Sequence, residues 1–249
     1  SEIFQNLKPD GVAILNGDDP LLNGLDLPFT TIRCGQSAHC NVRVTDILDH
    51  GVAGITCTVT TARDTYVLRI PAPGEHMVYS ASMAVAIAEL LHLNHAEIIR
   101  GVEAYQPAGS RMRVIQLPEE RCILDDCYNA NPQSVSAALE ILARTECDRK
   151  VAVLGDMGEL GDLTAQAHYN MGALAAMLGI DFVVAIGEKA AMIADGAVES
   201  GGEAYHFATK EEAIRELAGQ LAPNTAMLVK ASHAMHFEWI VEELCKAYD

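Results

Sequence analysis

The densest run of chemically capable side chains is Asp125-Asp126-Cys127-Tyr128-Asn129-Ala130-Asn131-Pro132. Adjacent carboxylates can hold Mg2+, a ribose hydroxyl or a substrate ammonium, Tyr can stack on a base, and Asn offers both a donor and an acceptor. Part of the run has a simpler use: Asn131 followed by Pro132 is a good N-cap and N1 pair for a helix. That use leaves the two carboxylates, Tyr128 and Asn129 unexplained. A second run, Gly155-Asp156-Met157-Gly158-Glu159-Leu160-Gly161, has glycines that permit tight turns and close backbone approach. It is not G-x-G-x-x-G and lacks the acidic partner of a dinucleotide site, so a flexible βα turn is the simpler reading. A third run, Lys230-Ala231-Ser232-His233-Ala234-Met235-His236, sets a cation at the end of an apolar stretch, where it could meet an anion. His233 and His236, like His92 and His95, lack a third ligand nearby and read as solvated or structural, so no metal ligands are assigned.

The elements that must carry these runs come from the apolar pattern. From about Gly109 onward, short apolar stretches at 122–124, 151–154, 182–186, 204–207 and 227–229 alternate with helix-period segments. Val135, Ala138, Leu139 and Leu142 have the spacing of one helix face. Ala167, Met171, Leu174, Ala175 and Leu178 make another, and Gly179 suits its stop. Helices are also expected near 189–198 and 211–221. This alternation predicts a parallel sheet covered on both faces. Ligands then sit at the carboxyl ends of its strands, which puts all three runs at one rim. The part up to about Pro107 reads differently. It has an apolar strand at 12–15, running into Asn16-Gly17-Asp18-Asp19-Pro20, and three Thr- and Val-rich stretches at 41–48, 55–60 and 66–70. After Pro71-Ala72-Pro73-Gly74, helices are expected near 79–91 and 96–105.

Bulk properties narrow the function classes. The chain has 249 residues, half of them hydrophobic, which is enough for one large domain or two ordinary ones. Seventeen Lys and Arg against 34 Asp and Glu give a formal charge of −17, which repels nucleic acid and anionic lipid. A phosphate-bearing ligand must therefore be held by a local cradle. No apolar run approaches the ~20 residues that span a bilayer, and no signal peptide is visible. The seven cysteines form no C-x-x-C and read as reduced thiols of a cytoplasmic protein, expected to be a monomer. There is no G-x-x-x-x-G-K-[ST]; the nearest string, Gly187-Glu188-Lys189-Ala190, lacks the second half.

In order along the chain, Leu7-Lys8-Pro9-Asp10-Gly11 with Asn16 to Pro20, Pro73-Gly74-Glu75-His76, Gly109-Ser110-Arg111-Met112, the Asp125–Pro132 run, Val153-Leu154 with the Gly155–Gly161 run, and Leu228-Val229-Lys230-Ala231-Ser232 together resemble the Mur ligases. The Tyr128-Asn129-Ala130-Asn131-Pro132 and Gly155–Gly161 strings are similar to those of the member that adds D-alanyl-D-alanine. The resemblance covers nearly the whole chain. It implies an α/β fold in which residues 1–108 are the C-terminal portion of a central ATPase domain. Residues 109–249 are then a Rossmann-like, parallel-sheet C-terminal domain. It also implies that the family's P-loop and carbamylated, Mg2+-bridging lysine lie upstream of Ser1. The chain alone is then expected to fold without ligating.

The implied reaction is ATP-dependent, with Mg2+. It converts the terminal carboxylate of UDP-N-acetylmuramoyl-tripeptide into an acyl phosphate, which the amine of D-alanyl-D-alanine attacks. On the resemblance, Asp126 and Lys230 are the catalytic candidates. His76, Arg111, Asp126, Tyr128 and Asn129 face the nucleotide, and Asn129, Asn131, Lys230 and Ser232 face the peptide substrates. Two strings depart from the family pattern. His-Asn-x-x-Asn reads His76-Met77-Val78-Tyr79-Ser80 here, without either amide. Lys-Gly-Ser-Arg reads Lys230-Ala231-Ser232-His233, so a fixed guanidinium fork becomes a titratable imidazole and carboxylate recognition is expected to vary with pH. Two other readings stay open: a ligase of the same superfamily with a different amino-acid substrate, and a non-catalytic nucleotide-binding or interaction module. The missing glycine fingerprint argues against a dehydrogenase.

Overall fold

Short β-branched and apolar runs become the strands of two separate sheets, one in each of the chain's two units, Ser1–Gln106 and Pro107–Asp249. The computed structural model describes residues 4–248.

In the first unit the strands are β1 (Val12–Asn16), β2 (Thr30–Gly35), β3 (Val42–Asp49), β4 (Ile55–Thr60) and β5 (Thr65–Ile70). They lie in sequence order, with β1, β2 and β3 parallel and β3, β4 and β5 antiparallel. β5 shows the reason for a one-sided sheet: Tyr66, Leu68 and Ile70 are buried, while Thr65, Val67 and Arg69 alternate outward. The buried side meets Val78, Ala81, Val85 and Ala86 of helix α2 (Met77–Leu90). The short helix α1 (Pro20–Asn23) is capped by Asp19, whose carboxylate accepts from the amides of Leu21 and Leu22. Helix α3 (His95–Glu103) starts in a capping box between Asn94 and Glu97. β2 was not expected. Its Thr30-Thr31-Ile32-Arg33 stretch has no apolar period, and it is a strand because β1 and β3 pair with its two edges.

In the second unit, β6 (Arg113–Leu117), β7 (Arg121–Asp125), β8 (Arg149–Gly155), β9 (Phe182–Ile186), β10 (Ala204–Phe207) and β11 (Thr225–Lys230) form a sheet in the order β10-β9-β8-β11-β7-β6. The expectation of a parallel sheet holds for all of these except β6, which pairs antiparallel with β7. An edge strand is half solvated and carries no continuous apolar run, so Arg113-Val114-Ile115-Gln116-Leu117 lacked a strand signal. β9 and β11 are buried at every residue, as strands covered on both sides must be.

Helices α4 (Pro132–Arg144), α5 (Thr164–Met177) and α6 (Ala191–Glu199) pack on one face. Helices α7 (Lys210–Gln220) and α8 (Glu238–Lys246) pack on the other, against Ile123, Val151, Val153, Val184, Met227 and Val229. Because β11 lies between β7 and β8, the chain leaves β7 and β8 toward one face and β11 toward the other. Divergent exits from neighbouring strands open a crevice at their carboxyl ends. Among the described residues, no helix is long and apolar enough to cross a membrane.

The α5–α6 crossing depends on two glycines. A Cβ on Gly172 would lie 1.8 Å from the Ile193 carbonyl oxygen, and one on Gly196 would lie 2.1 Å from that of Tyr169. Gly172→Ala must push the helices apart, so it is expected to destabilise the second unit by roughly 1–3 kcal/mol in urea unfolding. An unchanged midpoint would show that the crossing is softer than this contact implies.

Candidate functional site

The crevice is built from the carboxyl ends of β7, β8 and β11 and the first residues beyond them. Asp126 is held at three points. Its amide donates to the Val229 carbonyl (3.0 Å), its Oδ1 accepts from the Met112 amide (3.0 Å), and its Oδ2 accepts from Lys230 Nζ (2.5 Å). Lys230 Nζ also donates to the Asn129 carbonyl at 2.7 Å. The Lys230 side chain is 1% exposed and that of Asp126 16%. An ammonium this deep requires such partners, because an unpaired buried charge costs several kcal/mol.

The pair ties the end of β11 to the loop after β7. It also anchors Met112 in the left-handed backbone region (φ 51°), which non-glycine residues seldom adopt. The segment before β6 is thereby drawn onto the same loop: the Tyr128 amide donates to the Ser110 carbonyl, and the Arg111 guanidinium lies 3.8 Å over the Tyr128 ring. Tyr128 remains 47% exposed, with the His233 ring 5.7 Å away and tilted. His233 lies 3.4 Å from Glu238 at the start of α8.

The remaining residues divide into those spent on structure and those left free for other work. The Asn131 side chain accepts from the Ser134 amide at 2.9 Å and closes a capping box on α4, with Pro132 at the first helical position. The Asn129 side chain accepts from the neighbouring Ala130 amide. Ser232 donates its amide to the Asp156 carbonyl (3.1 Å), which joins the loops after β8 and β11. Asp125, fully buried, pairs with Arg113 directly across the β6–β7 hairpin at 2.9 Å. The Cys127 thiol is pushed well up by burial and by the charge of Asp125, so it stays protonated and is not a nucleophile.

The structure therefore brings together Arg111, Asp126, Tyr128, Asn129, Lys230 and Ser232, with Asn131 at the edge as a cap. His76 belongs to the first unit, where it is exposed at the start of α2 and makes no capping bond. In that unit, Asn16 to Pro20 orders the end of β2. Asp18 accepts from the Gln36 and Ser37 amides at 2.7 and 3.0 Å. Burial raises its carboxyl pKa, but hydrogen bonds from Ser37, Gln36 and Tyr79 outweigh that and hold it below the usual value. Among the described residues, no group of three or more His, Cys, Asp or Glu side chains could hold a metal ion.

Three contributors escape a reading by residue type: the Met112 amide, Asp156 and Arg113. The first is a backbone group, which side-chain identity does not report. Asp156 lies in a string that reads as a turn; its Oδ1 accepts from the Ala190 amide at 2.8 Å. Arg113 becomes visible only when the hairpin register sets it opposite Asp125.

Comparison with known proteins places the chain in a family. Residues 110–233 match the family described as Mur ligase, glutamate ligase domain. The chain is 30% identical over 249 residues to the UDP-N-acetylmuramoyl-tripeptide–D-alanyl-D-alanine ligase of Bacillus subtilis, covering 99% of this chain and 54% of that protein. It is 35% identical over 199 residues to the ligase of the same name from Treponema pallidum, covering 78% and 41% respectively. A crystal structure of MurF from Acinetobacter baumannii superposes with a TM-score of 0.89 at 30% identity, over 98% of this chain and 54% of that one. The chain thus spans about half the length of the Bacillus relative. In fold and in sequence, the chain belongs to the Mur ligase family.

Proposed function

We propose that this chain is part of a cytoplasmic, ATP-dependent ligase of cell-wall precursor synthesis, one that joins D-alanyl-D-alanine to UDP-N-acetylmuramoyl-tripeptide. In this reading residues 1–108 are part of the ATPase domain and residues 109–249 form the domain that carries the dipeptide. The observation that supports it most is the Asp126–Lys230 pair at the switch point of the second sheet, flanked by the exposed Tyr128 and His233. The names carried by the similar ligases point to the same substrates.

ATP, when bound, supplies the phosphoryl group that turns an inert carboxylate into an acyl phosphate. This chain's residues contribute positioning and charge. Lys230 donates to Asp126 and to the Asn129 carbonyl; buried as it is, it offers the dipeptide carboxylate its positive charge from beneath the loop. Ser232 and His233 border it on the next turn of chain. Tyr128, braced by Arg111, offers an aromatic platform at the mouth. His76 is assigned to the nucleotide side.

Calorimetric titration tests the reading. D-alanyl-D-alanine is expected to bind the chain, Ser232→Ala and His233→Ala are each expected to weaken it about tenfold, and D-alanine or D-glutamate alone should give no heat. Preference for D-glutamate would reassign the chain to another ligase of the family. Binding of nucleotide with no dipeptide response would favour a non-catalytic module.

A further inference from the structure

The loop after β8 is fastened by a histidine to which the mechanism above gives no role. His168 of α5 is fully buried. Its Nδ1 lies 2.7 Å from the Thr164 carbonyl, and its Nε2 lies 2.9 Å from the Met157 amide nitrogen. A carbonyl can only accept and an amide can only donate. Nδ1 therefore carries the proton and Nε2 is bare, which fixes a single neutral tautomer.

The Met157 amide and the Asp156 carbonyl belong to one planar trans peptide unit, so they point in opposite directions. The carbonyl accepts from the Ser232 amide at 3.1 Å. One rigid peptide plane thus has His168 on one side and the Ser232 end of the crevice on the other. The Asp156 carboxylate leaves this plane little freedom. It accepts from Ala190, and it sits so close to Gly187 (φ 117°) that a Cβ there would lie 2.5 Å from Oδ1. Farther along the loop, Glu159 holds φ 59°, a strained conformation that persists only when the surroundings over-determine it.

We propose that His168 is a positioning residue. By accepting from the Met157 amide it orients the Asp156–Met157 peptide plane, and that plane sets the backbone of Ser232 beside Lys230. The consequence for dipeptide binding rests on the function proposed above; the consequence for the backbone does not.

Two substitutions separate the two ring nitrogens. In His168→Gln, the side-chain oxygen can reach the Nε2 position and accept from Met157. In His168→Asn, the shorter amide can replace only the Nδ1 donor to Thr164. Hydrogen exchange on the unliganded chain is expected to show the Met157 and Ser232 amides protected in the wild type and His168→Gln, and exchanging at least tenfold faster in His168→Asn. Dipeptide affinity should fall about tenfold in His168→Asn and stay within about threefold in His168→Gln.

Imidazole nitrogen chemical shifts of the wild type provide a check that needs no variant to fold. They should report a protonated Nδ1 and a bare Nε2, and the opposite tautomer or a doubly protonated ring would overturn the proposal. So would a His168→Asn protein whose Ser232 amide stays as protected as in the wild type. If the exchange pattern holds while the wild type fails to bind the dipeptide, the substrate reading fails and the positioning role stands.

Discussion

Asp126→Ala is expected to lower the unfolding free energy of the second unit by about 3 kcal/mol, read as a drop in urea midpoint at constant slope. The substitution leaves the Lys230 ammonium at 1% side-chain exposure with the Asn129 carbonyl as its remaining protein partner. It also removes the acceptor of the Met112 amide, where the backbone is already left-handed. Both losses have the same sign. Lys230→Met should cost less, because it removes the buried charge and keeps most of the volume, while the freed Asp126 at 16% exposure can still reach water. In the Asp126→Ala/Lys230→Met double variant no charge is left unpaired, so the cost should be well below the sum of the two single costs. The coupling should lie in the range of roughly 0.5–3 kcal/mol found for residues in contact. Strict additivity of the single variants would mean that the ion pair does not lock the two loops together.

Phe237→Ala should be at least as damaging, with a loss of about 3–5 kcal/mol. Phe237 is fully buried at the start of α8, in the core beneath Ile123, Met227 and Val229. Its ring also touches the end of β8, where a Cβ on Gly155 would lie 2.6 Å from the ring tip and equally close to the Ala231 methyl. The aromatic ring therefore wedges the chain segment after β11 against the strand that carries the glycine-rich loop. Its removal leaves a cavity directly under residues 231–236, and that loop should lose amide protection along with stability. Phe237→Leu, which refills most of the volume, should recover the larger part of both. If Phe237→Ala lowers stability while the 231–236 amides stay protected, the ring supports the core alone and not the crevice.

Acidic composition, seven cysteines with no C-x-x-C and the absence of a long apolar run are properties of the chain itself, and no fold changes them. The same holds for the apolar periods behind β7, β8, β9 and β11 and for the cap at Asn131, because each depends on residues a few positions apart. α8, which was not expected, buries Ile240, Val241 and Leu244 at helical spacing, a signal of the same local kind. β2 and β6 were not legible, since neither has an apolar run of its own and each is a strand only by pairing with neighbours.

The sequence also supplied the cast of the candidate site, since Asp126, Tyr128, Asn129, Lys230 and Ser232 all stand in two of the three runs of chemically capable residues. What it could not supply is how they divide the work. Asp126 and Lys230 are separated by more than a hundred residues of chain, and they meet only because β11 inserts between β7 and β8. Long-range strand order made one carboxylate the partner of one ammonium. It gave Asn131 to the helix, and it turned a glycine-rich string into a strut held by a buried histidine. Contacts between residues close in sequence are set by local geometry. Contacts between distant strands depend on which arrangement buries the most apolar surface while leaving no charge alone, and only the folded chain decides that.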